Sequence, residues 1–180
     1  MPWRNLMRID IAPMLRGEIK TIDFDYQIKL PEDFFEGDIN AADISEAKPL
    51  KVIGRLENLA GYMKLSAKAS LEYTAQCARC LKPVESTLEL DFEKTAAVKG
   101  TLENEDNDDY ILAEDGVIDI DEPLLEELTL SLPFRHLCSE ECKGLCPICG
   151  KNLNGGDCGC ERKSVDPRLE VLRQLLDDKQ

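Results

Sequence analysis

Eight cysteines are the residues of this chain best suited to chemistry, and six of them lie close together. They run Cys138-x3-Cys142-x3-Cys146-x2-Cys149-x8-Cys158-x-Cys160, with Cys77-x2-Cys80 far upstream. Thiolates in fours suit a four-coordinate ion with no redox demand, and zinc is the natural occupant. Cys146-Pro147-Ile148-Cys149-Gly150 has the form of a zinc knuckle, a tight turn offering two sulfurs to one ion. Its glycine lets backbone amides turn toward the thiolates and ease their charge. Cys77-Ala78-Arg79-Cys80 is a second knuckle. A lone C-x-x-C says little; two beside four more cysteines say much more.

Cys146, Cys149, Cys158 and Cys160 can close locally over a loop containing Gly155-Gly156, leaving Cys138 and Cys142 to join Cys77 and Cys80. That second site would staple the C-terminal segment to an upstream turn, a cross-link over a long loop. The single residue between Cys158 and Cys160 gives a cramped bite, so one zinc with spare thiols stands as the alternative to two. Metal binding would supply on the order of 10 kcal/mol toward ordering the segment. An iron–sulfur cluster also takes four thiolates, and spacing does not separate the two. A thioredoxin-type pair needs a βαβ setting that neither pair has. Buried free cysteines fit poorly with six in such a short, glycine-containing stretch.

Sites made only of cysteine are closed, whereas catalytic zinc keeps a position open for water. The expected role is structural, with no catalytic residues. His136 is the lone histidine, which excludes mechanisms needing two, and no G-x-S-x-G accompanies it. We read it as a solvated loop residue, with replacement of one sulfur as the alternative. An enzyme working through Mg²⁺ would need clustered carboxylates, but the acids fall in loops and on solvent faces.

Arg135–Lys163 holds hardly any large apolar residue and cannot bury a core, so a body must carry it. Period-two alternation supplies that body. Apolar side chains stand at 22, 24, 26, 28 and 30, before Pro31. They also occupy the odd positions from Met63 to Cys77, with mostly polar residues between. Lys51–Leu56 is a shorter strand, joined to the long one by a turn at Asn58–Gly61. Val84, Leu88, Leu90 and Phe92 alternate with acids and threonine, so a second long strand forms a hairpin with the first, and Cys77-Ala78-Arg79-Cys80 sits at its tip.

Residues 103–109 carry five acids and read as a solvated loop. Tyr110–Leu112 and Val117–Ile120 flank an Asp115-Gly116 turn, predicting another hairpin. Asp121 caps a helix whose stripe is Leu124, Leu125, Leu128 and Leu132, ended by Pro133. Asp166-Pro167 starts a last helix, with Leu169, Leu172, Leu175 and Leu176 on one face to pack on the body; a partner helix is the alternative.

With 180 residues, 43% hydrophobic, the chain suits one domain with a small appendage. No apolar run approaches the ~20 residues of a membrane span, and Met1–Asn5 leads into no signal-peptide core. The expected location is cytoplasmic, with no membrane partner. Lys and Arg number 22 against 36 Asp and Glu, a net charge of −14 that repels phosphate backbones. Residues 135–163 carry +1 of this, leaving −15 elsewhere.

Several of these pieces in order resemble the YceD-like family. They are the hairpin with Cys77-Ala78-Arg79-Cys80-Leu81-Lys82-Pro83, then Ile118-Asp119-Ile120 before a leucine-rich helix, Leu132-Pro133 before cysteines, and Asp166-Pro167-Arg168-Leu169. The resemblance implies a cytoplasmic protein linked to accumulation of large-subunit ribosomal RNA, whose gene neighbours one for a ribosomal protein of that subunit. The family's upstream cysteine pair carries over to Cys77 and Cys80, and the cysteine-rich tail looks like the version in Gram-positive and related bacteria.

The expectation is therefore an α+β protein. An antiparallel sheet or partial barrel over 1–134 includes a helix near 122–132, a zinc-ribbon-like module spans 135–163, and a helix over 164–180 packs on the body. It is expected to be non-enzymatic and to support the large ribosomal subunit by binding a basic ribosomal protein or an assembly intermediate. The alternative is direct contact with precursor rRNA through Arg79, Lys82, Lys143 and Lys151.

Overall fold

The computed structural model describes residues 7–31, 33–36, 41, 43–59, 62–100 and 110–160. In chain order the elements are β1 (Arg8–Asp10), α1 (Ala12–Leu15), β2 (Thr21–Ile28), β3 (Ile44–Ala47), β4 (Leu50–Asn58), β5 (Met63–Gln76), β6 (Pro83–Val98), β7 (Tyr110–Ala113), β8 (Val117–Asp119) and α2 (Asp121–Ser131). The alternating segments form an open sheet in the order β2-β4-β5-β6-β7, with β3 also on β5. β5 and β6 pair without a break from Met63↔Ala96 to Gln76↔Pro83. Every odd residue of β5 is buried, which is why this strand carries the clearest alternation.

The second layer is the β1–β8 ribbon with α1 and α2. Ile9, Ile11, Met14, Ile118, Ile120, Leu124, Leu128 and Leu132 join the inner sheet face in one apolar core. Gly54 admits the Phe24 ring to that core: a Cβ there would stand 2.4 Å from Phe24 Cζ. On the outer face, Lys64–Glu93 (3.0 Å) and Lys68–Asp91 (3.2 Å) bridge β5 and β6 while exposed to solvent, so each adds little stability.

Three expectations need correction. The sheet is not wholly antiparallel, because β7 runs parallel to the end of β6, from Thr95↔Tyr110 to Val98↔Ala113. The Asp115-Gly116 turn forms, with both residues at positive φ and Glu114 and Val117 exchanging backbone hydrogen bonds. Its two strands then part, β7 to the large sheet and β8 to β1. Asp121 is the first helical residue rather than the cap. Its carboxylate is buried, accepting from Tyr26 Oη at 2.6 Å and Met7 N at 2.8 Å. Burial raises its pKa, against the pull of those two bonds. The acidic stretch 103–109 and the C-terminal helix over 164–180 lie outside the described residues.

Candidate metal centre

The long hairpin ends in a turn whose backbone presents sulfur. Cys77 N donates to Lys82 O at 2.8 Å and Leu81 N to Cys77 O at 2.9 Å, with Leu81 at φ +59°. The downstream knuckle repeats this wiring. Cys146 N donates to Lys151 O at 2.8 Å and Gly150 N to Cys146 O at 2.8 Å, with Gly150 at φ +72°. In both, the residue after the second cysteine turns left-handed, so the preceding N–H groups face the first sulfur.

The eight cysteines fall into two quartets, Cys77/Cys80/Cys138/Cys142 and Cys146/Cys149/Cys158/Cys160, whose sulfurs lie within 4.8 Å of one another. Cys77 Sγ is 3.9 Å from Cys142 Sγ and Cys80 Sγ is 3.6 Å from Cys138 Sγ. A tetrahedral ion with 2.3 Å bonds to sulfur sets its ligands about 3.8 Å apart, so the donor set and its spacing fit zinc. All eight are free cysteines. His136 belongs to neither quartet.

Electrostatics favour ionised sulfur at the head of each knuckle. Burial opposes the Cys77 thiolate, but N–H groups of Cys138, Arg79 and Cys80 outweigh it and bring its pKa down to about 6. Cys146 comes down to about 6 through the backbone N–H groups of Cys149 and Ile148. Two other positions go the other way. Cys138 is pushed up to about 12 by sharing its proton with Cys142 and Cys80, and Cys160 to about 12 by Cys149 and Cys158. A bound dication would displace those protons.

Two residues lock the quartets together. Arg79 Nη1 donates to the carbonyls of Glu140 (3.0 Å) and Cys142 (2.8 Å), and Arg79 O accepts from Leu145 N (3.1 Å). Gly144, at φ +73°, lets the chain pass, since a Cβ there would meet Arg79 O at 2.9 Å. Asn154 sits in the loop of the downstream quartet but serves the upstream one. Its Oδ1 accepts from Lys143 N at 2.7 Å, and its Nδ2 donates to Cys142 Sγ at 3.2 Å. That bond is the largest cause of the lowered Cys142 pKa.

The solvated reading of His136 is overturned: it is 5% exposed, with Nε2 2.9 Å from Tyr73 Oη. Its carbonyl accepts from Ala78 N at 2.9 Å, which docks the segment on the hairpin tip beside Cys77. Burial lowers its pKa, and Nδ1 has no hydrogen-bond partner among the described residues. Tyr73, His136 and Asn154 were not legible as supports, because no local pattern marks a partner many residues away. Among the described residues no helix is long and apolar enough to cross a membrane.

Comparison with known proteins places this arrangement. The family model "Large ribosomal RNA subunit accumulation protein YceD" matches residues 65–176, from the long hairpin through both quartets. Uncharacterized protein YlbN of Bacillus subtilis is 30% identical over 162 residues, 84% of this chain and 94% of its own. An uncharacterized protein of Mycobacterium tuberculosis is 29% identical over 124 residues, 68% of this chain, which spans 59% of that relative's length. The chloroplastic large ribosomal RNA subunit accumulation protein YCED homolog 1 of Arabidopsis thaliana is 33% identical over 63 residues, 35% of this chain and 20% of its own. No solved structure matches. From the hairpin tip to the cysteine tail, the chain belongs to the YceD family, which is linked to accumulation of the large ribosomal RNA subunit.

Proposed function

We propose that this protein is a non-enzymatic cytoplasmic factor that supports accumulation and assembly of the large ribosomal subunit by binding a basic ribosomal protein before it reaches rRNA. Charge carries the choice of partner: a chain at −14 attracts a basic protein and repels bare RNA. Two structural zinc ions, one per quartet, would hold the tail on the hairpin tip. The mutual 4.8 Å limit on the sulfurs supports zinc, since a multi-iron cluster needs its thiolates spread more widely. Four sulfurs per ion leave no position for substrate or water, which supports a structural role. Direct rRNA contact is less well supported, because Arg79 is spent on carbonyls and Lys151 Nζ donates to Asp157 O at 3.1 Å.

The test is capture of the full chain from its own cytoplasm at low salt, followed by native mass spectrometry and a salt titration. Two zinc ions and a basic large-subunit protein are expected, with affinity falling as salt rises. Equal affinity at low and high salt, or an RNA-only complex, would refute the reading.

A further inference from the structure

Beyond the quartets, the long hairpin has a side along β6 that no described strand fills. Cys77 N bonds Lys82 O, and Pro83, opposite Gln76, has no N–H to give, which sets the phase of the β5–β6 ladder. Even residues from Val84 to Phe92 therefore bond to β5. Glu85, Thr87, Glu89, Asp91 and Glu93 aim their N–H and C=O groups away from it. β7 meets β6 only from Thr95 onward, and no described strand pairs with the outward backbone groups of these five, although the side chains of Asp91 and Glu93 face Lys68 and Lys64. All five side chains are exposed, and four are carboxylates.

We propose that this edge, from Glu85 to Glu93, takes an extended lysine- and arginine-rich segment of a protein partner as an added strand. The inference rests on the basic-partner reading above and gives it a place on the molecule. An unpaired edge selects polypeptide over other ligands, because only a strand matches its alternating donors and acceptors. The carboxylates select the kind of polypeptide. Residues of an added strand on the exposed face stand beside Glu85 and Glu89, and beside Asp91 and Glu93, which already face Lys68 and Lys64 in exposed, exchangeable ion pairs; opposite charge favours pairing there and like charge opposes it. A second copy would bring the same acids to the same edge and is repelled.

The probe is a ten-residue peptide of alternating lysine and threonine, added to the full zinc-loaded chain, with amide hydrogen exchange read by NMR. Exchange at Glu85, Thr87, Glu89, Asp91 and Glu93 should slow at least tenfold. The fully N-methylated peptide, with equal charge but no N–H, should bind at least tenfold more weakly. The double variant Glu85→Lys with Glu89→Lys should lose binding to a similar extent while its own exchange pattern in β5 stays intact. Equal affinity for the two peptides, slowing elsewhere, or five amides already slow in the free chain would overturn the proposal. If a basic ribosomal protein binds without slowing these amides, the edge proposal fails while the partner reading stands. If the lysine peptide docks on the edge but no ribosomal protein is captured, the reverse holds.

Discussion

Removing Asn154 separates two roles that one side chain plays. Its Oδ1 holds Lys143 N at 2.7 Å, which fixes the amide's orientation and turns Nδ2 onto Cys142 Sγ at 3.2 Å. This bond supports the Cys142 thiolate more than the Gly144 N–H or the thiols of Cys138 and Cys80 do, so Asn154→Ala removes its largest single support. Without that bond the Cys142 pKa rises, and a thiolate that protonates more readily releases metal at higher pH. Supports of this kind are worth about 10–100-fold in metal affinity. We expect that loss at the upstream quartet for Asn154→Ala, read by chelator competition and by the thiolate-to-cobalt absorption of the Co²⁺-substituted chain. Asn154→Asp keeps the acceptor for Lys143 but sets a carboxylate against a thiolate, so it should bind metal more weakly than alanine does. Aspartate holding metal better than alanine would refute the reasoning and leave Asn154 only as a brace for the Lys143 amide.

Tyr26→Phe should destabilise the fold by about 1.5–3 kcal/mol in urea denaturation, the worth of a hydrogen bond to a charged group. Because burial raises the Asp121 pKa in the folded chain, the folded state binds more protons in the window above the ordinary carboxylate value. Stability therefore falls as pH rises through that window, and Asp121→Asn should abolish this slope. Gly144→Ala and Gly150→Ala share a left-handed strain of about 1–2 kcal/mol, but only Gly144 has a neighbour, Arg79 O at 2.9 Å, to collide with. Gly144→Ala should lower the melting temperature of the loaded chain more than Gly150→Ala. Zinc chelation should free the amides of residues 135–160 to exchange while those of β4 and β5 stay protected, because the sheet core is a separate cluster from that around Cys77, Cys80 and Cys142.

The sheet was legible where burial falls on one face. Met63 to Gln76 alternates without exception because β5 is flanked along its length, by β6 on one side and by β4 and then β3 on the other, all antiparallel. β1 and α1 have three and four residues, too few to show a period. The direction of β7 was hidden because Tyr110 pairs with Thr95 through a choice made by the whole sheet, not by the residues of either strand. The cysteine grouping was legible from loop lengths, since a short glycine-bearing loop closes one quartet and leaves four sulfurs for the other. His136 misled because the segment around it is poor in large apolar residues, whereas its burial comes from Tyr73 on β5. Asp121 misled through a local rule, since an acid before Glu-Pro fits a cap, yet Tyr26 and Met7 reach it from afar.

The span of the upstream quartet also sets a timetable for synthesis. Cys77 and Cys142 are 65 residues apart, so at about 5–20 residues per second the first pair emerges roughly 3–13 s before its last partner is made. Cys146 to Cys160 needs only a fraction of that interval. Each new chain thus holds two thiols at a finished hairpin tip, open to oxidants and stray metals, until the tail arrives. The clasp that joins the tail to the hairpin cannot close before Cys142 is made, and a chain cut short before Cys138 never closes it.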